Sequence, residues 1–337
     1  MILAVETSCD DTCAAVVTRA GEVLSSMVAS QMEHDRFGGV VPEVASRRHL
    51  ELLDGVVGAA LDEAGTTLDA VAAIAATRGP GLIGALLVGF SYAKALAAAA
   101  GKPLIPVDHL QGHVSANYLA PEPFEPPFLC LIASGGHTFL AHVTERSGYE
   151  VLGQTTDDAA GEAFDKGARL LGLGYPGGAA LDALARDGDD TAYDFPRSFV
   201  GDLDFSFSGI KTSLLYKLRA LPEGEFERVK ADLAASYQRA VIDMLIGRID
   251  HAVERTGVRR VAVGGGVAAN SLLRRRVAAL GVEVKVPPRE LCTDNAAMIA
   301  AAALCDEPVD YPRYASFDAY PTGRAASAAV PDATPTD

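Results

Sequence analysis

The sequence predicts a duplicated α/β fold, because the same order of elements occurs twice along the chain. Residues 2–17 and residues 128–143 each have the pattern of a strand, a small polar turn and a second strand. Residues 71–84 and residues 260–270 each have the pattern of a buried strand, a glycine-rich turn and the start of a helix. Two halves with one plan predict two similar lobes that close around a ligand cleft.

The length and composition are those of an ordinary globular protein with two domains. At 337 residues the chain is long enough for two sizeable cores, and 49% hydrophobic against 22% charged residues is a usual balance. The formal net charge of −15 argues against nonspecific binding of nucleic acid by the whole surface, although it is compatible with a local basic patch.

Three features predict a cytoplasmic protein without a membrane anchor. The sequence has no uninterrupted run of 18 apolar residues, and its N-terminus begins with a strand pattern instead of a basic leader. The five cysteines form no CxxC pair, which is typical of reduced thiols in a cytosol and not of a disulfide framework.

The first element is a β-hairpin. Apolar residues 2–5 and 13–17 flank the acidic, hydroxyl-rich segment Glu6–Thr12, which is therefore the turn. Actin-like and sugar-kinase-like folds handle a phosphate and its cation at such a turn, at the start of a sheet. A plain hairpin loop is the other interpretation of this segment.

The rest of the first half alternates helices and strands. A helix is expected from about Glu43 to Ala64, with a proline near its start and a glutamate in its first turn. Residues 69–76 predict a buried strand, and Arg78–Gly84 is a glycine turn whose backbone N–H groups open a long Ala/Leu helix. A strand over 103–107 then delivers the chain to His109.

The second half repeats this plan around an insertion. After the strand and glycine turn of residues 260–270, a helix is expected over 273–280 and a strand over 282–286, which leads to Pro287–Asn295. Residues 154–245 interrupt the repeat and predict mainly helices. The expected domains are an N-terminal lobe of residues 1–127, a C-terminal lobe of residues 128–313 and a mostly disordered tail of residues 314–337.

Two histidines predict half of a metal site. His109 and His113 are four residues apart, which on a helix places both imidazoles on one face, one turn apart. Leu110 occupies the position of the general base of an HExxH metalloprotease, so that class is disfavoured. Asp294 follows its strand roughly as His109 does, and the repeat would bring it to the facing wall of the cleft. Two imidazoles and one carboxylate leave coordination positions open, as catalytic metal sites do.

Nine short motifs are spread over nearly the whole chain. They are Glu6–Thr12, Gly38–Glu43, Arg78–Leu82, His109 with His113, Ser134–Thr138, Asp157–Lys166, Tyr175–Gly178, Asp204–Gly209 and Cys292–Asn295. In this order they resemble the motifs of the TsaD family, in the form that is typical of bacteria. The resemblance implies an actin-like, sugar-kinase-like (RNase H-like) fold with two lobes.

The resemblance also implies an activity, a site and partners. Such enzymes move a threonylcarbamoyl group from threonylcarbamoyl-adenylate to N6 of the adenosine just 3′ of the anticodon, in tRNAs reading codons that begin with A. The metal ligands would be His109, His113 and Asp294, with iron favoured and zinc possible. The adenylate contacts would be Ile132, Ala133, Ser134, Gly135, Gly136, Asp165, Gly178, Asp182 and Asn270. The expected protein partners are TsaB-like and TsaE-like, the latter an ATPase.

Other interpretations stay open at this point. The hairpin turn and the glycine turns suit a sugar or acetate-type kinase or an ATPase equally well, although such enzymes bind Mg²⁺ through carboxylates and phosphate instead of imidazole. A metallopeptidase and a non-catalytic assembly subunit are the further alternatives, and the histidine pair by itself is also typical of a polar helix face. Taken alone, Asp165 and Asp182 are expected at the surface, and Asp10 or Asp11 is the guess for the base that accepts the N6 proton.

Overall fold

The computed structural model describes residues 1–37, 39–174 and 176–322, and these residues form two compact units. The first unit contains Met1–Gln31, Val40–Gly112 and the segment from Asn295 onward, whereas the second contains Met32–Gly39 and His113–Asp294. Each unit is built on a mixed five-stranded sheet. The α/β class that the sequence predicts is therefore confirmed.

The first sheet starts with the predicted hairpin. Its strands are β1 (Ile2–Glu6), β2 (Asp11–Val17), β3 (Val23–Ser30), β4 (Ala73–Gly79) and β5 (Leu104–Asp108), in the order β3-β2-β1-β4-β5. The first three strands are antiparallel, and β1, β4 and β5 run parallel. The strand predicted over 69–76 begins later, because residues 68–70 form a turn of 3₁₀ helix before the chain enters the sheet.

Two long helices cover this sheet. In α1 (Pro42–Glu63), buried residues recur every three or four positions from Ala45 to Ala60, so one face packs on the first unit. The helix α2 (Ile83–Ala100) packs on α1 and on β4. Within the described residues α2 is also the helix whose length and apolar composition are sufficient to cross a membrane. Its buried face, which includes Leu86, Phe90 and Ala93, belongs to the core of the first unit.

After β5 the chain forms the short helix α3 (His109–Ser115) and enters the second unit. The second sheet has the order β8-β7-β6-β11-β12, in which β6, β7 and β8 are antiparallel and β6, β11 and β12 are parallel. These strands are β6 (Phe128–Ala133), β7 (Thr138–Glu145), β8 (Gly148–Gln154), β11 (Arg260–Gly264) and β12 (Glu283–Lys285). The second sheet thus repeats the strand order of the first, as the internal repeat predicts.

The insertion between β8 and β11 is mainly helical, as expected. It contains α4 (Ala160–Leu170), α5 (Gly177–Ala185), the short hairpin β9 (Phe199–Val200) and β10 (Asp204–Phe205), α6 (Ser208–Arg219) and α7 (Phe226–Thr256). The last helices are α8 (Ser271–Ala278), α9 (Arg289–Cys292) and α10 (Ala296–Ala303). The core of the second unit includes Phe164, Tyr237 and Val263, so the inserted helices share it with the sheet.

The units differ from the predicted domains at both ends of the second lobe. The division falls at 112/113 instead of 127/128, and α10 packs against β1, β2 and β5 of the first unit. Residues 314–322 are ordered, because Tyr314 is buried and the backbone N–H of Tyr320 donates to the carbonyl of Arg78. The predicted tail therefore begins too early, and its remainder, 323–337, lies outside the described residues.

Candidate active site

The short helix α3 carries both predicted histidine ligands. It begins where β5 ends, and the Asp108 carboxylate accepts hydrogen bonds from the backbone N–H groups of Leu110 and Gln111, at 2.8 and 3.0 Å. An aspartate at this position satisfies N–H groups that a helix start leaves without partners. The first turn is thereby held, and His109 and His113 follow one another along the helix, both buried.

His113 lies against the third predicted ligand. Its Nε2 atom is 3.3 Å from Oδ1 of Asp294, and the imidazole is almost wholly buried. Two ligand atoms that are bonded to one ion at about 2.0–2.1 Å, at a tetrahedral angle, are about 3.3–3.4 Å apart. The observed separation is therefore compatible with two ligands of one transition-metal ion, and it is also that of a histidine–aspartate ion pair.

The complete group of His109, His113 and Asp294 offers donor atoms that all lie within 4.8 Å of one another. Two imidazoles and one carboxylate are the donor set of many zinc sites and of iron sites with open positions. The residues present thus fit a divalent transition metal. The donor set does not distinguish iron from zinc.

A cavity of about 390 Å³ lies in the second unit. Its polar and charged lining residues are Asp165, Asp182, Arg186, Asn270, Arg289 and Thr293. The other lining residues are small or apolar, namely Gly135, Gly161, Phe164, Pro176, Gly178, Ala179, Gly266, Val267 and Ala269. A volume of this size, with apolar walls and a few convergent polar groups, is typical of a small-molecule site.

Five of the nine predicted adenylate contacts line this cavity, namely Gly135, Asp165, Gly178, Asp182 and Asn270. The other four are not among its lining residues. Ile132 and Ala133 are wholly buried in β6, and the Ser134 backbone N–H donates to the His137 carbonyl at 2.8 Å. Gly136 belongs to the same turn between β6 and β7 and is exposed. The structure thus brings together part of the predicted contact set.

Asp165 and Asp182 are not the surface groups that each suggests alone. Asp165 Oδ1 accepts the backbone N–H groups of Gly177, at 2.8 Å, and Gly178, at 3.3 Å, at the start of α5. Burial raises the pKa of the Asp165 carboxyl, although these hydrogen bonds act in the opposite direction. Asp182 is buried and accepts the Ser271 hydroxyl at 2.7 Å, so it joins α5 to the start of α8.

The Asn270 side chain, which lines the cavity, is held by three partner residues. Its Oδ1 atom accepts the backbone N–H groups of Leu272 and Leu273, both at 3.0 Å, and so caps the N-terminus of α8. Its Nδ2 group donates to Oε1 of Gln238 at 2.7 Å. Because Gln238 is buried and fixes the orientation of the amide, Asn270 presents a defined side chain at the cavity wall.

Sequence reasoning missed several residues that line the cavity. Phe164 belongs to the Asp157–Lys166 motif, but an apolar residue in a helix predicts a core position before a ligand contact. Arg186, directly after α5, and Arg289, in α9, bring positive charge to the cavity, and neither belongs to a recognised motif. Thr293 belongs to the Cys292–Asn295 motif, and its position directly before the predicted ligand Asp294 is the signal that could have identified it.

Thr293 also connects the cavity with the metal-ligand group. Thr293 lines the cavity and is followed in the chain by Asp294, whose carboxylate is 3.3 Å from Nε2 of His113. Within the second unit a cavity-lining residue is therefore the chain neighbour of one predicted ligand, whose carboxylate contacts a second.

Solved structures show which folds this chain is similar to. A HypF structure from T. kodakarensis matches with a TM-score of 0.61 and 15% identity, covering 90% of this chain and 47% of that chain. Full-length HypF in its phosphate- and nucleotide-bound form gives 0.58 at 13% identity, over 90% and 46%. Component A of (R)-2-hydroxyglutaryl-CoA dehydratase from Acidaminococcus fermentans gives 0.52 at 18% identity, over 93% and 97%. The chain spans less than half of the HypF chains, and the likeness places it among actin-like, kinase-like α/β folds.

The sequence comparisons identify the family within this class. The model of the family TsaD: tRNA N6-adenosine threonylcarbamoyltransferase matches residues 22–301. Relatives with the name tRNA N6-adenosine threonylcarbamoyltransferase include one from Clostridium botulinum (strain 657 / Type Ba4), 54% identical over 309 residues, and one from Clostridium perfringens (strain SM101 / Type A), 51% identical over 313 residues. Both alignments cover 90% of this chain and 91% of the relative. The chain belongs to the TsaD family, and it is a transferase that modifies tRNA.

Proposed function

We propose that the protein transfers the threonylcarbamoyl group of threonylcarbamoyl-adenylate to N6 of the adenosine 3′-adjacent to the anticodon. The acceptors would be tRNAs that read codons beginning with A, and AMP would be released. The observation that carries the proposal is the position of Thr293, which lines the cavity and directly precedes Asp294, the residue that pairs with His113. An adenylate in the cavity would have its acyl end beside the metal ligands.

The cavity suits the nucleoside half of this donor. Phe164 and the glycines of its wall provide apolar surface and room for a flat base. Asp165 and Asp182 supply oxygen atoms that accept hydrogen bonds from ribose hydroxyls or from the exocyclic amine of adenine, and Asn270 has a second amide hydrogen to donate. Because these side chains are already fixed by backbone and side-chain partners, they would bind a ligand with little reorganisation.

The two arginines of the cavity suit the anionic half. Arg289 lies at the start of α9, next to the cavity, and Arg186 is held by an ion pair with Asp182 at 3.2 Å. A planar guanidinium matches the geometry of phosphate oxygens and forms charge-assisted hydrogen bonds with them. We assign the phosphate of the adenylate to the Arg289 side of the cavity, where Thr293 also lies.

The chemistry is an acyl-type transfer. The N6 nitrogen of adenosine forms a bond to the carbamoyl carbon, the bond from this carbon to the phosphate oxygen breaks, and the N6 proton leaves with a base as AMP departs. A divalent ion held by His109, His113 and Asp294, with iron favoured and zinc possible, would act as a Lewis acid on the carbamoyl carbonyl. Arg289 stabilises the charge that the leaving phosphate acquires. Asp10 and Asp11, both half-buried, remain the residues considered for the base.

The proposal includes partners and a location. TsaB-like and TsaE-like proteins are the expected protein partners, together with tRNA and threonylcarbamoyl-adenylate as substrates. The cytoplasm is the expected compartment, because that is where tRNA is modified and where free thiols such as Cys130 and Cys292 stay reduced.

The test is nucleoside analysis of tRNA by liquid chromatography and mass spectrometry. The full chain is incubated with its TsaB-like and TsaE-like partners, threonylcarbamoyl-adenylate and a tRNA that reads an A-starting codon. Threonylcarbamoyladenosine and AMP should appear in equal amounts. A matched tRNA with guanosine at the target position should give neither product. If no modified nucleoside forms, while ATP is consumed and a small molecule is phosphorylated, the kinase alternative replaces the proposal.

A further inference from the structure

The carboxylate of Glu6 lies directly behind the first metal ligand. Glu6 ends β1 and is wholly buried, and its Oε2 atom is 3.1 Å from Nδ1 of His109. The Ser8 hydroxyl is also 3.1 Å from this nitrogen. Glu6 and Ser8 both belong to the turn Glu6–Thr12, for which the sequence suggests a role in handling phosphate. Both contact His109, a residue that the proposed reaction uses.

Both oxygen atoms of Glu6 act as acceptors. Oε1 accepts the backbone N–H of Ser8, and Oε2 accepts the hydroxyl of Thr77 on β4. A buried carboxylate needs such donors to compensate for the loss of water. Because both oxygen atoms of Glu6 accept hydrogen bonds, the donor in its contact with His109 is taken to be the Nδ1–H group of the imidazole.

This assignment decides which nitrogen of His109 is a ligand. A neutral imidazole carries one proton, and the nitrogen without it holds the lone pair that binds a metal. With Nδ1 protonated and directed at Glu6, the lone pair is on Nε2. Carboxylate–histidine–metal arrangements of this kind fix the tautomer and the ring orientation of a ligand and raise its basicity.

We infer that Glu6 is a positioning residue, which holds His109 in the Nδ1–H tautomer and aims its Nε2 atom for metal binding. The inference rests on the proposed function, since it assumes that the His109, His113 and Asp294 group holds a divalent ion. It assigns to the N-terminal turn a role in organising the metal site, which differs from the phosphate-handling role that its sequence suggests.

The main test is Co²⁺ binding by the metal-free full-length protein, followed by the visible absorption of the bound ion. In Glu6→Gln the amide group keeps the size of the side chain but can donate to Nδ1, which favours the Nε2–H tautomer. The affinity of Glu6→Gln for Co²⁺ should fall about 10–100-fold, which is the usual effect of losing a hydrogen-bond partner of a metal-binding histidine. Thr77→Val is the matched control, because it removes a hydrogen bond of Glu6 without touching His109. The affinity of Thr77→Val for Co²⁺ should change less than about threefold.

A second measurement needs no variant and so does not depend on the folding of Glu6→Gln. Histidine labelled with ¹⁵N in the metal-free wild-type protein reports which ring nitrogen is protonated, and the His109 signal is identified by its loss in His109→Ala. Protonation at Nδ1 is expected at neutral pH. Protonation at Nε2 overturns the inference, as does a Glu6→Gln variant that binds Co²⁺ as tightly as wild type.

The outcomes separate this inference from the proposed function. If wild type binds no Co²⁺, the metal group and the role of Glu6 both fail. If wild type binds Co²⁺ and Glu6→Gln binds it more weakly, the inference stands even when no threonylcarbamoyladenosine is formed. In that case the proposed reaction alone is wrong.

Discussion

Replacing Gly265 with alanine tests how closely the glycine turn after β11 packs against β6. Gly265 has φ +82° and ψ 162°, a region that is nearly restricted to glycine. A Cβ atom at this position would lie 2.3 Å from the carbonyl oxygen of Ala133 and 2.6 Å from its carbonyl carbon. Both partners are backbone atoms, so no side-chain rotation relieves the contact.

The expected loss of stability has two parts. An alanine in this backbone conformation costs about 1–3 kcal/mol. Relieving the contact requires the oxygen to move from 2.3 Å to at least 3.0 Å from the new atom, and overpacking of this kind costs about a further 1–3 kcal/mol. Gly265→Ala should therefore lower the free energy of unfolding by about 2–6 kcal/mol.

Gly281→Ala is the matched control. Gly281 also has a positive φ, +67°, but a Cβ atom there would have no neighbour within 4 Å. The control should lose about 1–2 kcal/mol, which is the backbone cost alone. Chemical denaturation followed by circular dichroism measures both variants. If Gly265→Ala is no less stable than Gly281→Ala, the close contact between this turn and Ala133 of β6 is wrong.

Two further predictions concern charged side chains of the second unit. Burial alone raises the pKa of Asp157, but hydrogen bonds from Ser206, Phe207 and Ser208 lower it below its usual value overall. The contribution of the Asp157 carboxylate to stability is therefore present above about pH 4 and lost as the pH falls through the folded-state pKa. Asp157→Asn should cost about 1 kcal/mol of unfolding free energy at pH 7, after allowance for solvent screening, and should cost less in acid. Unfolding curves at several pH values check this, and a pH-independent difference contradicts it. Arg289→Ala should weaken AMP binding in calorimetry about tenfold, whereas Arg275→Ala, an exposed arginine that does not line the cavity, should leave it unchanged; equal affinities in both variants contradict the phosphate assignment.

Local pattern was sufficient to predict most of the two sheets. The hairpin of β1 and β2 follows from apolar runs on either side of a polar turn, and α1 follows from its proline start and the glutamate in its first turn. The order of strands in the second sheet follows from the repeat. The hairpin and α1 depend on residues that are close in sequence, and the second sheet depends on a repeat that is visible in the sequence, which is why a single sequence reveals them.

The placement of α10 could not be predicted in the same way. Its residues Ala296–Ala303 are apolar on every side, so the sequence has no polar face to show which sheet the helix covers. Its packing against β1 and β2 joins residues that are nearly 300 positions apart, and it moves the C-terminal segment into the first unit. The ordered residues 314–322 depend on the same long-range contacts, including that of Tyr320 with Arg78.

The site shows the same limit. His109, His113 and Asp294 were predicted because a helical spacing and an internal repeat connect them, and the structure brings their donor atoms within 4.8 Å. Arg186 and Arg289 were missed because each is one arginine among many, and only the cavity shows what they face. Asp182 was expected at the surface because its partner Ser271 is 89 residues away.

The most direct measurement is the transfer assay with the double variant His109→Ala, His113→Ala, combined with metal analysis and circular dichroism of the same sample. The metal ligands are proposed to act in catalysis, so the variant should bind no metal and form no threonylcarbamoyladenosine. Its circular dichroism spectrum should match that of wild type. A folded double variant that carries no metal and still modifies tRNA at nearly the wild-type rate would contradict the proposed role of this site.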